Sequence, residues 1–147
     1  MKIAIGSDHN GVKLKSLLKK HLESRYEVVD VGPEGEESVD YPDFAFAAAE
    51  MVGRNDADRA ILICGSGIGM SMAANKVRGV RAALCDTPES ARLTRQHNDA
   101  NVLTLAGWRE DQGDITNVVD SFLETEFEGG RHARRVGKMT SYEEESC

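Results

Sequence analysis

The sequence predicts an α/β protein, a parallel sheet of five strands covered on both sides by helices. Three observations carry that reading. Short apolar runs suited to strands alternate along the chain with stretches whose apolar residues recur at helical spacing. Ala60, Ile61, Leu62 and Ile63 follow one another without a polar break, as in a strand buried on both faces. Gly65, Gly67 and Gly69 come directly after, where a strand-to-helix unit needs a sharp exit turn.

Residues 2–5 open as the first strand, and Gly6, Ser7, Asp8, His9, Asn10 and Gly11 form the loop after it. In the next segment Leu14, Leu17, Leu18 and Leu22 share a helix face, with Lys13, Lys15, Lys19 and Lys20 expected outside. His21 lies on the apolar stripe and is expected to be a partly buried helix residue, not part of a site. Residues 27–31 read as a second strand, ended by Gly32 and Pro33. Pro42 suits a first helical turn, Phe44, Ala48, Met51 and Val52 supply its apolar side, and Gly53 stops it. After the central strand come a helix from Ile68 to about Lys76, a strand at 81–84, and a helix announced by Thr87, Pro88 and Glu89. Residues 101–105 form the fifth strand. Ile115, Val118, Val119, Phe122 and Leu123 mark an amphipathic helix expected to close at Gly129 and Gly130. A final helix puts Arg131, Arg134, Arg135 and Lys138 on one face and Val136, Met139 and Tyr142 on another. Glu143, Glu144 and Glu145 behind it are expected to fray.

At 147 residues, one domain over 1–147 is expected. A net charge of -7 argues against duplex nucleic acid or an anionic membrane as the main partner and favours a small ligand. No apolar run approaches the roughly 18 residues of a membrane span, and a cytoplasmic protein is expected. Cys64, Cys85 and Cys147 are odd in number and lack a C-x-x-C pair, so free thiols are expected and no zinc site. No two histidines or cysteines share a ligand-type spacing, although scattered ligands can still meet in space.

In an open parallel sheet, ligands bind at the carboxyl ends of the strands. Polar clusters are expected there: Asp8 and His9 after the first strand, Cys64 and Ser66 after the central one, His97 and Asn98 before the fifth, Arg109 after it. The glycine turn at 65–69 brings backbone N–H groups close to an anion, at the start of a helix whose positive end favours a thiolate. Cys64 is therefore the candidate base or nucleophile, and Cys85 a structural thiol. The competing readings are plain ones: a cysteine after a buried strand as a small hydrophobe, Asp8 as a helix cap, His97 as an ordinary loop histidine, the basic face as merely solvated. A G-x-G-x-x-G dinucleotide loop and a Walker loop are both missing.

Taken together, Gly6-Ser7-Asp8-His9-Asn10-Gly11, Cys64-Gly65-Ser66-Gly67-Ile68-Gly69, Ala74-Asn75-Lys76, Arg95-Gln96-His97-Asn98-Asp99 and Glu128-Gly129-Gly130-Arg131-His132 resemble ribose-5-phosphate isomerase B. That family also holds the galactose-6-phosphate isomerase subunits, and the resemblance covers nearly the whole chain. It implies a Rossmann-like three-layer α/β/α fold with a C-terminal helix, and a homodimer with shared active sites that can pair into a dimer of dimers. The implied reaction interconverts an aldose phosphate and a ketose phosphate with no metal or other cofactor. By the same resemblance Cys64 moves the proton between C1 and C2, and Ser66 with the backbone of Gly65, Gly67, Ile68 and Gly69 holds the enediolate oxygen. His97 opens the sugar ring, and Asp8 and Asn98 face the hydroxyls near C1 and C2. His9, Arg131 and Arg135 bind the phosphate, with Arg109 assisting. One branch of the family uses a glutamate just after the glycine loop; here that position is Met70, so the chain is of the cysteine type. Ser66 stands where several such members have threonine, which leaves room for a longer sugar.

Overall fold

The computed structural model describes residues 1–109 and 115–146; Cys147, expected to be a free thiol, lies outside them. Among the described residues are five strands and six helices, strand and helix alternating until the sixth helix follows the fifth: β1 (Lys2–Ser7), α1 (Val12–Leu22), β2 (Glu27–Asp30), α2 (Tyr41–Gly53), β3 (Arg59–Cys64), α3 (Ile68–Ala74), β4 (Ala82–Leu84), α4 (Pro88–Asn98), β5 (Val102–Ala106), α5 (Ile115–Glu124) and α6 (Arg131–Ser146). All neighbouring strands pair parallel, in the order β2-β1-β3-β5-β4.

The central position of β3 explains its unbroken apolar run, since both its faces are covered. Ile61 and Ile63 join Ile3, Ile5, Leu103 and Leu105 under α1, α4 and α5. Leu62 and Cys64 point the other way, with Ala4 and Val102, under α2 and α3. Ala45, Ala48 and Ala49 of α2 are fully buried, and their small side chains let that helix lie close on the sheet. Thr87 caps α4 through a reciprocal pair with Ser90.

Several expectations are corrected. Lys15 is not on the outside of α1: it is 2% exposed, its ammonium donating to Asp30 Oδ1 at 2.8 Å and to the Pro33 carbonyl at 2.5 Å. The helix turns this face toward the β2 exit, where a carboxylate and a carbonyl satisfy a buried charge. Leu17 in turn is 43% exposed. α5 ends at Glu124, five residues before Gly129, and the glycine pair belongs to the entry of α6, where both residues take positive φ. Residues 143–145 do not fray. They continue α6, and Glu143 Oε2 accepts the Gly79 amide at 2.9 Å. His21 is half-buried as expected, and its Nε2 meets both oxygens of Asp120 on α5 at 2.9 and 3.0 Å.

β4 forms one edge of the sheet, and Asn75 is clasped to it. Its amide nitrogen donates to the Ser71 and Ala82 carbonyls, 2.9 Å each, and its oxygen accepts the Ala82 N–H at 2.8 Å.

Candidate active site

With β1 leading leftward to β2 and β3 leading rightward to β4, the connections diverge between β1 and β3. A crevice opens there at the carboxyl ends, where an open α/β sheet places its ligand. Asp8 and Cys64 flank it. The Asp8 N–H donates to the Ile63 carbonyl at 2.9 Å, tying the loop after β1 to the last turn of β3. Asp8 is 5% exposed, and its Oδ1 accepts the Asn10 N–H at 2.9 Å. It does not cap α1, whose N-cap is Gly11 without a side-chain bond. His9 is half-buried and accepts the Val39 amide at its Nδ1, 3.2 Å. Nε2 is left toward Asn10 at 3.4 Å.

From the other side the loop after β5 closes over β3. Gly107 N–H donates to the Cys64 carbonyl at 2.7 Å, and Trp108 N–H to the Gly65 carbonyl at 3.0 Å. A Cβ on Gly107 would lie 2.5 Å from the Asn10 carbonyl oxygen, so this loop touches the one after β1. Arg109 follows, half-buried, its guanidinium held by the Asp86 carbonyl in the loop after β4. Three strand exits thus converge on Cys64, which is 4% exposed.

The glycine turn is built as read, for more specific reasons. Only Gly67 takes positive φ, 77°, at the N-cap of α3. Gly65 and Gly69 are small because aromatic rings lie on them: a Cβ at Gly65 would sit 2.5 Å from the Trp108 ring, and one at Gly69 2.7 Å from Tyr41. Ser66 and Ile68 are exposed at the lip, and Ser66 Oγ accepts the Ile68 N–H at 3.2 Å. Trp108 and Tyr41 carry no motif, and nothing in the sequence pointed to them.

His97 and Asn98 are elsewhere, which corrects the expectation that they sit at a carboxyl end with the other polar clusters, and Arg131 and Arg135 lie with them. α4 runs antiparallel to the strands, and His97 and Asn98 are its last two residues, so they come level with the amino ends. The Asn98 carbonyl accepts from Arg81, just before β4, and the nearby Asn101 carbonyl accepts the Ala60 N–H at the start of β3. From Ala60 to Cys64 the strand rises about 13 Å. Arg131 and Arg135 are exposed on the first turns of α6, beside the end of α4. His97 lies flat on His132, ring centroids 4.3 Å apart and planes 12° from parallel. His132 closes the motif that begins at Glu128, and the sequence gives it no role of its own. Its Nε2 is 3.5 Å from Glu128 Oε2. Burial, then the charges of His97 and Arg131, hold the His132 imidazole below its ordinary value, against the pull of Glu128.

Cys85, the thiol read as structural, is 4% exposed; burial first, then the Asp86 charge, push it up to about 11, against a Ser90 hydrogen bond. Among the described residues no helix is long and apolar enough to cross a membrane.

The candidate side chains therefore fall into two groups, one around Cys64 and one around His97, at opposite ends of the sheet. The same arrangement of elements recurs in solved structures. The ribose-5-phosphate isomerase B of Clostridium thermocellum superposes with a TM-score of 0.97 at 50% identity, covering 100% of both chains. The Mycoplasma genitalium enzyme with bound ribulose-5-phosphate gives 0.94 at 48% identity, over 98% of this chain and 97% of that one. The Escherichia coli ribose-5-phosphate isomerase B is 44% identical over 144 residues, 97% of either chain. With residues 3–139 matching as well, the chain belongs to the ribose/galactose isomerase family.

Proposed function

We propose that the protein interconverts D-ribose 5-phosphate and D-ribulose 5-phosphate, as a cytoplasmic homodimer of one sugar-phosphate isomerase domain over residues 1–147 that uses no cofactor. The observation that carries this is Cys64 at the crevice between β1 and β3, with the buried Asp8 beside it and the 65–69 turn in front. A relative at 48% identity holds ribulose-5-phosphate.

In this reading Cys64 takes a proton from C2 of the open-chain aldose and returns it to C1. The intermediate is an enediolate, its oxygen held by Ser66 and by the amides of the turn. Asp8, buried and bonded to the Asn10 amide, meets the hydroxyls near C1 and C2 with Asn98. His97 delivers a proton to the ring oxygen, and His9, Arg131 and Arg135 hold the phosphate with help from Arg109. The separation of the two residue groups within one chain supports an interface site: Cys64, Asp8, His9 and Arg109 from one subunit meet His97, Asn98, Arg131 and Arg135 from its partner. A second reading is favoured by the exposed Ser66 hydroxyl where a bulkier threonine would narrow the pocket. It keeps the chemistry and takes a six-carbon substrate, allose or galactose 6-phosphate. A non-catalytic sugar-phosphate-binding subunit has no use for Cys64, Asp8 and His97 together.

The test is the rate of ribulose 5-phosphate formation from ribose 5-phosphate by purified protein with a chelator present, beside allose 6-phosphate and galactose 6-phosphate. Fast pentose turnover is expected. Activity on a hexose alone would change the substrate, and inactivity on all three would favour the binding subunit.

A further inference from the structure

α6 is exposed along nearly its whole length, and His132 is its single buried residue. That residue spends its burial on a flat contact with His97. The support behind it is built from the same segment. Glu128, one turn earlier, stands 3.5 Å from the His132 Nε2, and its own N–H donates to the Gln96 carbonyl at 3.1 Å, next to His97. Ligand atoms of His97, Glu128 and His132 lie within 4.8 Å of one another, which is metal-like in number. Ring planes 12° from parallel nevertheless keep the two imidazole lone pairs in stacked planes, and a single ion could be shared only if one ring left the stack.

We infer that His132 is a positioning residue whose ring is the plate that fixes the plane of His97. The inference rests on the proposed role of His97 in opening the sugar ring. In that step the C1–O4 bond breaks and its electron pair goes to O4, which takes the proton from His97; the C1 hydroxyl gives its proton to water as the carbonyl forms. The proton must arrive along the line to O4, whereas a half-buried histidine at a helix end is otherwise free to turn about two side-chain bonds. Stacking removes one of those freedoms, and Glu128 holds the plate. Burial and the neighbouring charges lower the basicity of the His132 imidazole, which favours an uncharged ring as the plate.

Ring opening can be read separately from proton transfer, because ribulose 5-phosphate, with its 5-oxygen esterified, stays open-chain. Exchange of its C1 hydrogen in D2O needs the carbon acid step alone; conversion of ribose 5-phosphate needs ring opening as well. Both rates are measured by NMR for the wild type, His132→Ala and His132→Phe. Ribose 5-phosphate conversion is expected to fall on the order of 10- to 100-fold in the alanine variant, with exchange within about twofold of wild type. Phenylalanine, which keeps a flat face, should restore most of the conversion. Equal loss of conversion and exchange, no loss at all, or a phenylalanine variant as slow as alanine overturns the inference. A wild type inactive on ribose 5-phosphate overturns the proposed function beneath it, and this inference with it.

Discussion

Trp108 lies with its ring on the α-carbon of Gly65 while its backbone N–H donates to the Gly65 carbonyl at 3.0 Å. The residue after the candidate base is therefore held on two sides by one neighbour. A methyl at position 65 would meet the ring at 2.5 Å, but the ring is 68% exposed and can swing away. Gly65→Ala should thus cost little stability, about 1 kcal/mol or less. Because Trp108 is the only tryptophan, its fluorescence reports the displacement directly, as a red shift with the melting temperature nearly unchanged. An unshifted spectrum would show that the loop, not the ring, had moved.

Exchange of subunits tests the shared site. Cys64→Ala and His97→Ala are each expected to fold and to lose turnover by at least about a hundredfold. Mixed under conditions that let dimers re-form, the two inactive proteins should recover about a quarter of wild-type activity: half the dimers are hybrids, and each hybrid has one site with both residues intact. Recovery absent from a mixture in which hybrids are seen by mass spectrometry would place the whole site within one chain.

Cys85 should make the protein lose stability in alkali. Its folded thiol ionises near 11, raised from 9.0, so between those values the unfolded chain gives up a proton that the folded one keeps. Its contribution is complete below pH 9 and is lost as pH rises toward 11, a fall of about 2–3 kcal/mol. Denaturation by urea at pH 8 and pH 10.5 should show a drop that Cys85→Ala lacks. Equal drops in the two proteins would put the alkaline sensitivity elsewhere.

Asn75 bridges α3 and β4 with two donated bonds and one accepted. Asn75→Asp is nearly the same shape and keeps the acceptor, but it sets a carboxylate against two carbonyl oxygens. A loss of about 1–3 kcal/mol in urea denaturation is expected at neutral pH, shrinking as the pH falls and the carboxyl group protonates. A pH-independent loss would contradict the repulsion.

What the sequence made legible is local. The apolar run at 60–63, the leucines of α1 and the Thr87-Pro88 start placed their elements, because backbone periodicity and capping act over a few residues. Lys15 was misplaced because its partner, Asp30, lies across a turn of chain, and spacing along a helix says nothing of what waits opposite. Gly129 and Gly130 were read as ending α5 since positive φ serves either side of a loop. Cys64 and Asp8 were placed at the same end because strand exits gather at one end of a parallel sheet. His97 was assigned to the same end because its loop precedes β5, and only the direction of α4 reveals the difference. His132 stacks on a ring 35 positions away, a contact that its place in the motif beginning at Glu128 does not reveal.

The clasp of Asn75 on Ala82 also bears on how the protein behaves in a crowded solution. β4 is an edge strand, and an open edge recruits strands from other molecules. In parallel pairing, Arg81 and Cys85 face β5, so the N–H and carbonyl of Ala82 point outward, and the Asn75 side chain fills both. One amide stands in for a neighbouring strand. Its removal would leave a docking place for a second, heat-loosened molecule, and the consequence would be seen as turbidity at protein concentrations where the native chain stays clear.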